Sequence, residues 1–226
     1  MSDTIASVTG KVVDVEKIRK DFPIRSQSVR GKPLIYLDNA ATTHKPISVI
    51  ERVRNFDAEK YGTVRRGTYK LSEHATQLYE EVRQKVADFM GAEKKGEVVF
   101  TSGTTQAINL VAHSFGKRFV NEGDEIVISN IEHHANIVPW QVLCEERGAK
   151  LKVIPVDDDG ELVMEEYEKL LSPKTRMVAV NHVSNALGTI NPIKEITQKA
   201  HAVGARVLID GAQSTPHIKL DVRDID

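Results

Sequence analysis

The run Ala205-Arg206-Val207-Leu208-Ile209-Asp210-Gly211-Ala212-Gln213 decides the fold of this chain. Val207, Leu208 and Ile209 read as a buried strand, which stops on a carboxylate followed at once by glycine. An aspartate at that point aims an anionic oxygen into whatever lies beyond the strand end. Its plainer use is to cap the helix that follows.

Upstream, the same signature recurs. Strands are expected at Val98-Val99-Phe100, Glu125-Ile126-Val127-Ile128-Ser129, Lys150-Leu151-Lys152-Val153-Ile154 and Met177-Val178-Ala179-Val180. Helical spacing separates them at 104–119, 137–147, 164–171 and 193–203, the last ended by Gly204. Pro139 is tolerable in a first helical turn. Short β-branched strands alternating with amphipathic helices predict an α/β fold with a mostly parallel sheet covered on both faces. Right-handed crossovers then gather the strand C-termini on one side, where open α/β sheets bind ligands.

The first part differs. A short helix is expected at 15–20, a strand at Leu34-Ile35-Tyr36-Leu37-Asp38, and helices at about 47–61 and 73–90. The first dozen residues and the segment 62–68 are expected to be flexible.

Composition excludes more than it identifies. The chain has 226 residues, 40% hydrophobic and 28% charged, with net charge −1. Its 31 basic and 32 acidic residues offer no electrostatic case for nucleic acid or an anionic membrane. No apolar run approaches a membrane span, and Met1-Ser2-Asp3-Thr4-Ile5-Ala6 does not read as a signal peptide. One cysteine rules out an internal disulfide and fits a reducing cytoplasm. That residue, Cys144, continues the stripe Ile137, Trp140, Leu143 and is expected to be buried core rather than a reactive thiolate.

Four polar clusters follow the expected strands. In Thr101-Ser102-Gly103-Thr104-Thr105-Gln106, a glycine turn enters a helix that starts with two hydroxyl residues. Free amides there favour a phosphate, although a helix start without ligand looks the same. Asn130-Ile131-Glu132-His133-His134-Ala135-Asn136 places a histidine where its ring could stack on a flat heteroaromatic ligand and move protons. The alternatives are a loop histidine or a metal ligand, although adjacent histidines in such a turn point apart. Asn181-His182-Val183-Ser184-Asn185-Ala186-Leu187-Gly188 offers an amide at Asn185, or simply a polar turn. Asp210 with Gln213 completes the set. A phosphate cradle, a stacking ring, an amide and a carboxylate are what a phosphorylated pyridine asks for, and pyridoxal 5′-phosphate (PLP) fits.

These blocks also carry a resemblance. Tyr36-Leu37-Asp38-Asn39-Ala40-Ala41-Thr42, Gly103-Thr104-Thr105, Glu132-His133-His134-Ala135-Asn136-Ile137-Val138-Pro139-Trp140, Val180 to Gly188 and Asp210-Gly211-Ala212-Gln213 stand in the order found in SUF-type (group II) cysteine desulfurases. The chain resembles the N-terminal part of those enzymes from about Asp14 onward. They belong to the class V aminotransferase group of fold-type I, aspartate aminotransferase-like PLP enzymes. The resemblance implies an N-terminal arm at 1–33 and an incomplete cofactor domain at 34–226.

By that resemblance, Thr104 and Thr105 hold the phosphate, and His133 stacks on the ring and acts as acid or base. Asn185 and Gln213 bind its oxygen side, Asp210 pairs with the pyridinium nitrogen, and Ala40 and Asn185 contact substrate. The substrate is L-cysteine or selenocysteine, and the products are alanine and a persulfide. That sulfur goes to an acceptor protein for iron–sulfur cluster assembly, and the enzymes are homodimers. Arg66-Gly67-Thr68-Tyr69 departs from the Arg-Gly-x-His of many relatives, and Ser102 stands where many carry arginine. The cofactor-bearing lysine, the sulfur-carrying cysteine and the carboxylate-binding arginine of the family lie beyond where this sequence stops. The chain is therefore expected to be an N-terminal fragment that binds PLP weakly and is inactive alone. A selenocysteine lyase or another class V enzyme would share these residues. A short non-catalytic partner of an intact desulfurase is a third reading.

Overall fold

The structure, a computed structural model, describes residues 4–6 and 12–226. Most of the first dozen residues, expected to be flexible, lie outside the described residues. The chain divides into two compact units, one up to Glu81 and one from Val82.

The first unit begins with β1 (Thr4–Ala6), paired antiparallel with β2 (Val12–Asp14), and α1 (Val15–Lys20). The Asp14 carboxylate caps α1 by accepting from the Lys17 amide at 3.0 Å. A two-stranded hairpin follows, β3 (Ser28–Val29) and β4 (Lys32–Pro33), then α2 (Ile47–Glu59) and α3 (Lys70–Met90), whose residues from Val82 on count in the second unit.

The strand expected at 34–38 is absent: the segment is irregular, with Ile35 80% and Leu37 91% exposed. An apolar extended run becomes a strand only beside an edge to pair with, and among the described residues it has none. The segment 62–68, expected to be flexible, is irregular and carries three hydrogen-bond anchors. The Thr63 amide donates to the Tyr69 hydroxyl, the Arg65 amide to Thr76 Oγ1, and the Gly67 amide to Ser72 Oγ.

The second unit carries the α/β alternation. Residues 98–100, expected as a strand, likewise form no strand, with Val99 67% exposed. The carbonyl of Val98 is taken instead by the Arg83 guanidinium, at 3.0 and 2.8 Å. Then come α4 (Thr104–Val111), a π-turn at 112–116, α5 (Lys117–Phe119), β5 (Glu125–Ser129), α6 (Val138–Arg147), β6 (Lys150–Ile154), α7 (Met164–Leu170), β7 (Thr175–Asn181), α8 (Ile193–Ala202) and β8 (Arg206–Asp210).

The four strands pair in parallel in the order β6-β5-β7-β8. Every residue of β5 is buried, which explains why it lacks the alternation of a one-faced strand. Its side chains divide between two cores. Ile126 and Ile128 pack with Met177 and Ala179 under α4 and α6, against Ile108, Trp140, Leu143 and Cys144. Val127 packs with Val178 and Val180 on the opposite face, against Tyr167 of α7 and Ile196 and Ala200 of α8. The two-faced parallel sheet expected from the pattern is thus in place. At Gly116 a Cβ would lie 2.3 Å from Leu143 Cδ2, so the π-turn can approach α6 only without a side chain there. Among the described residues, no helix is long and apolar enough to cross a membrane.

Candidate functional site

Parallel pairing puts the ends of β5, β7 and β8 on one edge, with Asn181 directly opposite Asp210. The turns after these three strands carry His133, Asn185 and the Asp210–Gln213 pair. The Thr104 cluster is placed differently. Because 98–100 form no strand, the start of α4 is not fed by one, and three of the described sheet strands rather than four lead into the polar clusters.

The N-cap of α4 is Gly103, in a conformation (φ 155°, ψ 174°) that leaves open space where a side chain would stand. The first backbone bond of the helix runs from the Ala107 amide to the Gly103 carbonyl. Glycine supplies no capping oxygen, so the amides of the first turn face outward with the positive end of the helix. Thr104 and Thr105 are both exposed there. The Ser102 amide is held by Gln106 Oε1 at 2.6 Å, which shapes the turn before the helix.

His133 opens the short turn that leads into α6. Its Nδ1 accepts from the Ala135 amide at 3.1 Å, which assigns the proton of the neutral ring to Nε2. The imidazole is exposed. The ring of His134 is 6.4 Å away and turned by 82°, so the two rings do not converge on one point. A cleft of about 440 Å³ contains Thr105 and His133 in its walls and runs between α4 and α6 over Val138 and Leu143. Asp210, Asn185 and Gln213 lie outside that lining.

Asp210 is 7% exposed, and its Oδ1 accepts from the Ala212 amide at 2.9 Å. That bond turns the chain sharply after β8 while the carboxylate stays at the strand end. Its own carbonyl accepts from the His182 amide at 3.0 Å, which extends the β7–β8 ladder past Asn181. Asn185 is exposed, in a loop tied by Ser184 Oγ, which accepts from the Ala186 and Leu187 amides, and closed by Gly188 at φ 77°. Gln213 is half-buried in the turn after Asp210. Ala40 is exposed and belongs to the first unit, within the turn 39–41.

One residue in this edge carries no role in the sequence reading. Glu132 is buried, and its carboxylate accepts from Ser129 Oγ, from Asn136 Nδ2 at 2.7 Å and from the Asn181 amide at 2.9 Å. Asn136 Oδ1 in turn accepts from Trp140 Nε1 at 2.9 Å, and Asn181 Nδ2 donates to the Ile131 carbonyl at 2.6 Å. Burial pushes the Glu132 carboxyl up to about 7 despite these donors, and the negative charge of Asp210 adds to the rise. The signal that could have found it is the spacing Glu132, Asn136, Trp140, polar residues four apart just after a buried strand.

Cys144 is buried in the α6 core, where burial pushes its thiol up to about 11, as the apolar stripe predicts.

Residues 35–226 match the model of the family described as Aminotransferase class-V. A cysteine desulfurase of Dickeya dadantii is 53% identical over 212 residues, covering 94% of this chain and 52% of that protein. A probable cysteine desulfurase of Mycolicibacterium paratuberculosis is 53% identical over 215 residues, which cover 95% of this chain and 31% of that protein. Among solved structures, the apo cysteine desulfurase of Thermococcus onnurineus superposes with a TM-score of 0.86 at 40% identity, covering 93% of this chain and 50% of that one. The S-sulfonic acid form of an Escherichia coli cysteine desulfurase gives 0.83 at 33% identity, covering 96% and 53%. The chain spans about half the length, or less, of the curated relatives it matches. With that match over most of its length and the parallel sheet it folds into, the chain belongs to the class-V aminotransferase family.

Proposed function

We propose that this chain is the cofactor-binding part of a PLP-dependent cysteine desulfurase, in which Asp210 is the residue that defines the site. The donor set fits a phosphorylated pyridine. An uncapped helix start with open space at Gly103 suits a dianion, and a buried carboxylate at a strand end suits a protonated ring nitrogen. PLP, when bound, supplies an electron sink for charge developing on the substrate.

The chain's own residues then have separate tasks. The amides and hydroxyls of Thr104 and Thr105 hold the phosphate. Asp210 keeps the ring nitrogen protonated, and its bond from the Ala212 amide fixes its orientation. His133, pinned at Nδ1, covers the ring and offers Nε2 for proton movement. Asn185 and Gln213 donate to the ring's oxygen side, and Asn185 also contacts the substrate.

The proposed reaction takes L-cysteine, or selenocysteine, to alanine. The sulfur passes to an enzyme thiolate as a persulfide and from there to an acceptor protein for iron–sulfur cluster assembly. We place the protein in the cytoplasm, as a homodimer, with residues 1–33 as an arm on the domain 34–226. Cys144, buried and held as a thiol, is not the sulfur carrier.

The observation that carries this reading is the buried Asp210 carboxylate, beside Asn181 on the strand edge that also bears the His133 turn. Titrating the protein with PLP and recording the visible spectrum tests it. The expected result is weak binding whose spectrum shifts toward the unprotonated ring in Asp210→Asn. Identical spectra for the two proteins would refute the assignment. Assay of alanine and sulfide released from L-cysteine by the protein together with the rest of its natural chain tests the reaction itself.

A further inference from the structure

Glu132 precedes His133 in the chain and meets three elements at once. It takes the Ser129 hydroxyl at the end of β5, the Asn136 amide group at the start of the α6 approach, and the Asn181 backbone amide at the end of β7. Asn181 faces Asp210 across the β7–β8 ladder. We propose that Glu132 is a positioning residue whose buried carboxylate ties the turn bearing His133 to the Asp210 end of the sheet, so that charge at Asp210 is transmitted to Trp140.

The bonding pattern requires a carboxyl group rather than an amide. Oε1 serves both Ser129 and the Asn181 amide, while Oε2 serves Asn136, which spends its own oxygen on the Trp140 indole. A glutamine would set its NH₂ against the NH₂ of Asn136 or, turned over, against the Asn181 amide. Flipping Asn136 to accept that donor would strip Trp140 Nε1 of its acceptor. Two buried donors cannot both be satisfied, so the amide is not a substitute. The same reasoning places a proton on Glu132 at Oε1, where the Ser129 hydroxyl can turn and accept it. The neutral state thus weakens the Asn181 contact and, because Oε2 then carries less charge, also the bond from Asn136 that orients the acceptor of the Trp140 indole.

Charge reaches Glu132 from Asp210 on β8, while β5, the turn before α6 and β7 offer it neutral donors. A cation against Asp210 offsets that negative charge and lowers the cost of ionising Glu132. Pyridoxal phosphate enters only as the source of such a cation, which rests on the function proposed above.

Trp140 is the chain's only tryptophan, so its fluorescence reports on this network without a label. Followed from pH 5 to 9, it should show a transition near pH 7. That transition should vanish in Glu132→Gln and move down in Asp210→Asn. A transition unchanged in Glu132→Gln would belong to other groups and overturn the assignment. So would an unmoved midpoint in Asp210→Asn. If Glu132→Gln does not fold, carbon-13 NMR of glutamate-labelled protein follows the carboxyl directly, and titration at the ordinary 4.5 in the parent would overturn it. Adding PLP at neutral pH should move the transition down as well. If the cofactor-free results hold and PLP does nothing, Glu132 keeps its place and the cofactor reading fails.

Discussion

The two sides of the strand-end edge are built on opposite plans. Between β5, β7 and β8, the polar groups are buried and bonded to one another: Glu132, Asn136, Trp140 and Asn181 form one connected set. At the start of α4 and in the turn after β5, Thr104, Thr105 and His133 are exposed, with backbone donors turned outward. The first side has settled its hydrogen bonds within the chain, while the second holds them ready for a ligand. Substitutions on the buried side should therefore cost stability, and those on the open side should cost ligand affinity and little else.

The sharpest way to break this contrast is Trp140→Ala. The indole is fully buried in the core between α4, α6 and the sheet. Its removal should cost about 3–5 kcal/mol, measured by urea denaturation followed by circular dichroism. Asn136→Ala should cost about 1–3 kcal/mol, because it takes the donor from Glu132 Oε2 and the acceptor from the indole N–H. A loss below half a kcal/mol in both would mean that the buried side is not organised as described.

The same side should give a distinctive pH dependence. Glu132 has an ordinary value of 4.5 and a folded value of about 7, so between these pH values the folded state binds a proton that the unfolded state has released. Its contribution to stability is largest below about 4.5 and is lost as pH rises through about 7. The difference is on the order of 3 kcal/mol. Stability at pH 5 minus that at pH 8 should be larger for the parent than for Glu132→Gln. Equal differences would show that Glu132 ionises normally.

How much of this was legible in the sequence follows the same division. β5 and β6 match the expected strands residue for residue, because β-branched runs bounded by turn residues have few other ways to bury themselves. The helices at 15–20, 138–147, 164–170 and 193–202 also fall where periodicity puts them. The segments 34–38 and 98–100 carry the same local signal and form no strand, since pairing is a property of neighbours rather than of the run itself. For the site, strand ends were enough to locate His133, Asn185, Asp210 and Gln213 on one edge. Glu132 was not legible in this way. A charged residue in a turn reads as solvated, and only the fold shows that its oxygens are spoken for by three buried donors.

Asp210 sits on the boundary of the contrast: it is buried at a strand end, yet the proposed function sets it against the ligand. Asp210→Asn keeps an oxygen for the Ala212 amide, so stability should change by less than about 1 kcal/mol. On the proposed function the ring nitrogen would lose its anionic partner, so PLP affinity should nevertheless fall by roughly tenfold to a hundredfold. If stability falls while affinity holds, Asp210 belongs with the buried network and not with the ligand.

The smallest effect is expected at Thr105. Its side chain is exposed at the first turn of α4, and its carbonyl accepts from Asn109 Nδ2 at 2.8 Å, a bond that does not involve the hydroxyl. Thr105→Ala leaves that bond and the helix amides in place and raises local helix propensity slightly. Thermal unfolding should therefore be unchanged or a little later than in the parent. Removing one neutral hydroxyl from a phosphate contact costs about 1 kcal/mol, so PLP or inorganic phosphate should bind roughly fivefold more weakly. Thr105→Ser, which retains the hydroxyl, should bind like the parent. The comparison is decided by the pairing of these outcomes. An affinity loss in Thr105→Ala without a stability loss, recovered in Thr105→Ser, places the phosphate at the α4 start. An unchanged affinity in both variants leaves that helix start as an uncapped terminus and shifts the anion site elsewhere on the edge.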